Sequence, residues 1–216
     1  MMRSRLLCTL MLGALLTACS QTTTEQTSAA TKASTPVFTN HAEPDSQDGQ
    51  TPAPVLTGAQ QQQFLQAKAL LRSGDANAAT EVFASLAQQL PAAAGVWYNL
   101  ALSQWQSSQI DAANRTLQHL AAQSPAYSAG HNLAGVLARQ QGQFLAAEQH
   151  FKLALNSDPD NAQAHKNLAF LYELYLAKPL QAHFHYKRYF ALTGDEKATA
   201  WLALLEQQLP QEQTDD

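Results

Sequence analysis

Between residues 57 and 210 apolar positions recur with the spacing of an amphipathic helix, and one pattern of small and bulky side chains returns every 34 residues. Pro91, Pro125 and Pro159 stand 34 apart, as do Ala67, Ala101, Gly135 and Ala169. Ala79, Ala113 and Ala147 keep the interval, and so do Phe83, Leu117 and Phe151, and Gly74, Ser108 and Gly142. Columns that share one register predict tandem helical hairpins rather than unrelated helices. Small residues in the Ala67 and Ala79 columns let the paired helix axes approach, and the bulky column fills space between neighbouring hairpins. Gly74 and Gly142 suit a left-handed turn inside a hairpin, and each proline ends one hairpin or begins the next. One hairpin alone leaves its apolar face wet, so stacking supplies the stability.

The ends of the pattern are readable too. Thr57 and Gln60 have the spacing of a capping box, although four successive glutamines from Gln60 weaken the first turn. In the fourth copy Leu176 stands where glycine is expected, and one extra residue moves Ala182 and Tyr186 into the matching places. The loop there is expected to differ locally, with Pro179 starting the second helix. After Gly194, Ala198, Trp201, Leu202, Leu205 and Leu209 fall on one helical face, which predicts a cap on the last hairpin.

This 34-residue period resembles the tetratricopeptide repeat. The match is clearest in VWYNLALSQWQSSQIDAANRTLQHLAAQSP, where Trp97, Leu100, Ala101, Ala113 and Pro125 occupy signature places, and in HNLAGVLARQQGQFLAAEQHFKLALNSDP. The resemblance implies an all-α, TPR-type solenoid with repeats at about 60–93, 94–127, 128–161 and 162–194, and a capping helix at 195–209. It further implies that the first helix of each hairpin lines a concave groove that receives a protein or peptide segment. Three columns match that lining: Phe64, Tyr98, Asn132 and Lys166; Lys68, Leu102, Val136 and Phe170; Leu71, Trp105, Arg139 and Glu173. Within each helix they lie at i, i+4 and i+7, on one face. Half of this lining is aromatic and apolar and the other half adds charge, so a segment with apolar knobs is the expected partner, with Trp105 as its main anchor. Asn99, Asn132 and Asn167 invite comparison with relatives that clamp a free carboxylate, but the complementary Lys and Arg set is missing.

The beginning of the chain has a different grammar. Arg3 and Arg5 precede an apolar run from Leu6 to Leu16, too short to span a bilayer, and Leu16-Thr17-Ala18-Cys19 resembles a bacterial lipobox. The resemblance implies that residues 1–18 are a removed signal and that Cys19 becomes the acylated first residue, facing the periplasm. Three acyl chains at about 0.8 kcal/mol per buried methylene would make the anchor effectively permanent. Ser20 after the cysteine resembles the default outer-membrane signal. Cys8 leaves with the signal, so no disulfide forms within one mature chain. Residues 20–56 are rich in Thr, Ser, Gln and Pro, with Phe38 their only aromatic, and read as a disordered tether reaching on the order of 35 Å. Residues 211–216 read as a short frayed tail.

Charge narrows the partners. The chain carries a formal −4, which becomes −6 without Arg3 and Arg5, and residues 57–210 hold ten basic and ten acidic side chains. A neutral body excludes nucleic acid, whose binding relies on clustered cations. Catalysis finds no footing either. There is no HExxH, no GxSxG elbow and no glycine-rich phosphate loop. His183 and His185 lie about 200° apart on a helix, and His131 and His165 take the place of Trp97 in their copies, which makes them packing residues. No metal or cofactor is expected. The reading is a non-catalytic adaptor, and known lipoproteins of this type assist pilus assembly, outer-membrane protein insertion or cell-wall synthesis. Two alternatives stay open: glycan binding through Trp105 and Tyr98, and self-association through the fourth copy with its cations Lys178, Lys187, Arg188 and Lys197.

Overall fold

A computed structural model describes residues 55–207. The signal segment, Cys19, the tether, Leu209 and the tail lie outside the described residues. Nine helices and no strand occur among those described. They are α1 (Gly58–Ser73), α2 (Ala76–Gln89), α3 (Ala94–Gln106), α4 (Ile110–Gln123), α5 (Ser128–Gln140), α6 (Phe144–Ser157), α7 (Ala162–Leu174), α8 (Pro179–Thr193) and α9 (Lys197–Glu206).

Each helix packs on the next, giving four hairpins and a final helix against α8. Odd-numbered helices also meet each other, α1 with α3, α3 with α5 and α5 with α7, whereas no two even-numbered helices do. The odd helices therefore form the inner wall of the stack and the even ones fan out on its outer side.

The small columns explain the close pairing. Ala67, Ala101, Ala169, Ala79, Ala113, Ala147 and Ala182 are wholly buried. At Gly135 an added Cβ would lie 2.5 Å from the Phe151 ring, so α5 and α6 approach only because no side chain intervenes. This refines the expected role of the bulky column. Phe151 fills its own hairpin, while Phe83 meets Phe64 of its own hairpin edge-on at 5.6 Å and also packs with Val96 and Leu100 of the next.

Turn chemistry follows the repeat. Gly74 and Gly142 adopt left-handed φ of 89° and 75°, and Ser108 adopts 64° in their column. In the fourth copy the left-handed residue is Ala177 (φ 50°), one place after Leu176, as the extra residue requires. Ser108 and Ala177 each cost about 1 kcal/mol relative to glycine there. Pro179 sits at the start of α8, and Thr57 closes its capping box with Gln60 at 3.0 and 3.3 Å despite the glutamine run.

Prolines 91, 125 and 159 do more than end helices. The carbonyl of each accepts a ring N–H from the residue six places on: Trp97 Nε1 at 2.9 Å, His131 Nε2 at 2.7 Å and His165 Nε2 at 3.0 Å. A carbonyl only accepts, so both histidines carry their proton on Nε2. Histidine thus replaces tryptophan by keeping one hydrogen bond and giving up ring volume.

Candidate functional site

The inner wall is the surface to which the sequence assigns binding, and its two ends differ. On α1 and α3, Phe64, Lys68, Leu71, Tyr98, Leu102 and Trp105 are all half-buried. Phe64 leans on Phe83, and the Lys68 ammonium lies 5.5 Å from the Phe64 ring centre. Tyr98 meets Tyr127 at 6.0 Å, and burial raises its phenol pKa. The Trp105 indole donates to Gln140 Oε1 at 2.7 Å, which fixes the ring across the gap between α3 and α5.

The middle of the wall departs from expectation. Val136 is 1% exposed and Asn132 8%, so neither is open to a partner. Asn132 accepts from Asn167 at 2.9 Å, a buried amide bond between α5 and α7, and Asn99 donates to the Gly95 carbonyl at 2.7 Å. The asparagines thus join inner helices and satisfy backbone groups. Arg139 stays half-buried, with its Nε buried and unpartnered among the described residues.

At the far end side chains of α8 and α9 meet the wall residues of α7. Phe170 is met edge-on by Tyr186 at 5.5 Å and by Trp201 of α9 at 5.1 Å. Glu173 accepts the Tyr186 hydroxyl proton, and burial together with that bond pushes the Tyr186 phenol far up. The Lys166 ammonium lies 5.2 Å from the Tyr189 ring centre, and burial lowers its pKa. Tyr189 donates to Asp195 at 2.7 Å and its pKa is pushed up to about 12, by burial first and that bond second. The wall columns therefore differ in what meets them rather than in burial: Lys166, Phe170 and Glu173 are bound by the last hairpin and cap, yet are half-buried like the residues of α1 and α3. The covering by Trp201 was legible in the amphipathic face of α9, but the contribution of Tyr186 was not.

Two buried polar clusters hold the outer side of the last hairpins. Glu148 accepts from Lys152 at 2.7 Å, Tyr172 at 3.0 Å and Lys178 at 3.2 Å. Burial pushes the Glu148 carboxyl up, but these three donors outweigh it and its pKa is lowered. His165 Nδ1 lies 2.8 Å from His185 Nδ1. With the His165 proton committed to Pro159, His185 donates and His165 accepts. Burial, and next the neighbouring His165, lower the His185 pKa to about 4. His183 points elsewhere, to Glu206 at 3.1 Å. Of the cations expected to form a cluster, Lys178 is bound to Glu148 and Arg188 to Asp160 at 2.9 Å. Among the described residues no group of three His, Cys, Asp or Glu is placed to hold a metal, and no helix is long and apolar enough to cross a membrane.

Comparison with known structures decides the fold. A Thermus thermophilus structure described as a thermophilic TPR protein, TTC0263, superimposes with a TM-score of 0.58 over 69% of this chain and 82% of that one, at 22% identity. The fold is the tetratricopeptide-repeat solenoid. Pseudomonas aeruginosa pilF gives a TM-score of 0.62 over 69% of this chain and 68% of that one, at 18% identity. MamA from Desulfovibrio magneticus RS-1 gives 0.53 over 63% and 77%, at 20% identity. No protein-family model and no curated protein sequence matches the chain. In a TPR solenoid the odd helices are the first helices of the hairpins, which matches α1, α3, α5 and α7 here.

Proposed function

We propose that this protein is a lipid-anchored, periplasm-facing, non-catalytic adaptor that holds a segment of a partner protein against the inner wall of α1 and α3 during assembly of a cell-envelope complex. One observation carries the binding half: five apolar or aromatic side chains, Phe64, Leu71, Tyr98, Leu102 and Trp105, pack on the core beneath them yet stay only partly buried on adjoining helices. Exposed aromatic and apolar groups on a rigid wall anchor partners at low entropic cost, because the scaffold has already fixed their rotamers. The Trp105–Gln140 bond supports this pre-organisation. The TPR fold supports protein binding as a class, though a fold does not name a function. The location rests on the lipobox-like LTAC at residues 16–19, with acylation at Cys19 and retention in the outer-membrane inner leaflet.

The decisive experiment is photocrosslinking in intact cells from position 102, read by mass spectrometry of the adduct. One discrete envelope protein, lost when Trp105 becomes alanine, is the expected result. Adducts with peptidoglycan alone would replace the adaptor reading by the glycan one. Incorporation of labelled palmitate that survives Cys19→Ala would remove the anchor.

A further inference from the structure

The three junctions between successive hairpins use the same positions, and one of them is hollow. Between hairpins one and two the outer side is filled by Phe83, Leu90, Trp97 and Leu100. Trp97 also stacks on His119 at 4.2 Å. Thirty-four residues on, the same positions are Leu117, Ser124, His131 and Ala134, and His119 becomes Leu153. Four side chains shrink at one place. Other changes run the other way, Thr80 to Asn114, Ala84 to Gln118, Ala93 to Tyr127, Ser107 to Gln141 and Thr116 to His150, and these larger side chains line the space that remains. A further 34 residues on, bulk returns as Phe151, Leu168 and Tyr172, all buried, and the His165–His185 pair closes that junction.

The result is a cavity of about 450 Å³ between α4 and α6, floored by α5 and lined by Leu117, His131, Ala134, His150 and Leu153. It opens away from the inner wall, because His131, Ala134 and Ala138 lie on the opposite side of α5 from Asn132, Val136 and Arg139. Where the filled junction has Thr80, Ala84 and Ser107, the rim here has the amides Asn114, Gln118 and Gln141. No Asp, Glu, Lys or Arg lines it. His131 spends its Nε2 proton on Pro125, which leaves its Nδ1 an acceptor, whereas His150 Nδ1 is buried from solvent with no hydrogen-bond partner among the described residues. Burial, then the neighbouring His131, lower the His150 pKa, which keeps that ring neutral.

We propose that this outer cavity is a second binding site, taking the indole ring of a tryptophan presented by a partner protein. The preceding junction supplies the template, since an indole is what fills the same slot there. A neutral, apolar-walled slot rejects ions, because no countercharge offsets their desolvation. The His131 Nδ1 acceptor favours a ring that carries an N–H over a purely aliphatic side chain. The amide rim then hydrogen-bonds the backbone on either side of the inserted ring.

Titrating N-acetyl-tryptophanamide into the full-length protein, followed by NMR of the His131 and His150 imidazoles and the Ala134 methyl, tests this. Saturable shifts at those three residues, with a dissociation constant on the order of a millimolar or tighter, are expected. N-acetyl-leucinamide should bind about tenfold more weakly. Two variants refill the slot with its own template, His131→Trp and Ala134→Leu. Each should weaken binding by about tenfold or more with an unchanged or higher melting temperature. Should either variant unfold early, the tryptophan-against-leucine comparison on the unaltered protein still decides. Trp105→Ala, on the other wall, should leave the probe's affinity unchanged, so failure here and failure of the groove are read separately. No saturable shift at the three residues, equal affinity for the leucine probe, or full affinity in both well-folded refilled variants would overturn the site.

Discussion

On α1 and α3 the inner wall is apolar and aromatic, with Phe64, Leu71, Tyr98, Leu102 and Trp105, whereas on α7 the same columns hold Lys166, Phe170 and Glu173, each met by a side chain of α8 or α9; all eight are half-buried. Both ends come from one repeat. The last hairpin has no successor to bury its face, so aromatic residues of α8 and α9 pack against it, and Lys166, Phe170 and Glu173 are tied to the cap while staying half-buried. The first hairpins are supported by their neighbours and can leave apolar groups open. Stability and recognition are thus assigned to opposite ends of one surface, and substitutions at the two ends should fail in different ways.

The sharpest break is Trp201→Ala. That ring packs with Phe170, Tyr186 and Tyr189 together. Its loss should cost about 3 kcal/mol by chemical denaturation, with hydrogen exchange rising first in α8. Next is Glu148→Gln, which leaves Lys178 and Tyr172 facing a weaker acceptor and should cost about 2 kcal/mol at neutral pH. Because the folded Glu148 pKa is lowered, its contribution is full above the unfolded carboxyl value and disappears as pH falls through the folded one. The difference between wild type and Glu148→Gln should accordingly shrink in strong acid.

Acid also acts through the histidine pair, with Arg188 on α8 and Lys152 on α6 adding repulsion to the proton. Unfolded histidine binds a proton near pH 6.5, while folded His185 does so only near 4. Between these values the unfolded chain binds more protons, so stability is full above the window and declines as pH drops through it. The loss should be about 1.5 kcal/mol, less than the full pKa difference gives because solvent reaches part of the ring. His185→Asn keeps an N–H for His165 and should flatten the slope of unfolding free energy against pH. The smallest stability effect belongs to Trp105→Ala, under about 1 kcal/mol for a half-exposed ring, yet it should abolish the crosslink expected at the inner wall.

The two ends were not equally legible. The 34-residue spacing announced tandem helical hairpins, and one extra residue in the fourth copy announced a displaced turn, realised at Ala177. Those features are local: a cap, a turn or a small contact residue is set by a few neighbours in sequence. Exposure is not local. Asn132 turned inward because Asn167, 35 residues away, reaches its carbonyl, and a valine at 136 does not project beyond the flanking rows as leucine or tryptophan would. The hollow junction was present in the alignment of copies as smaller residues at matching positions, but a missing side chain reads as ordinary variation until the neighbours fail to fill its place.

By itself the sequence determined the helical hairpin, its repetition and where the stack starts and stops, because periodic apolar positions, caps and small contact residues act over one or two helical turns. Tertiary structure alone decided which wall positions stay open, which aromatic rings close the far end and which junction keeps a cavity, because each depends on side chains brought together from helices tens of residues apart.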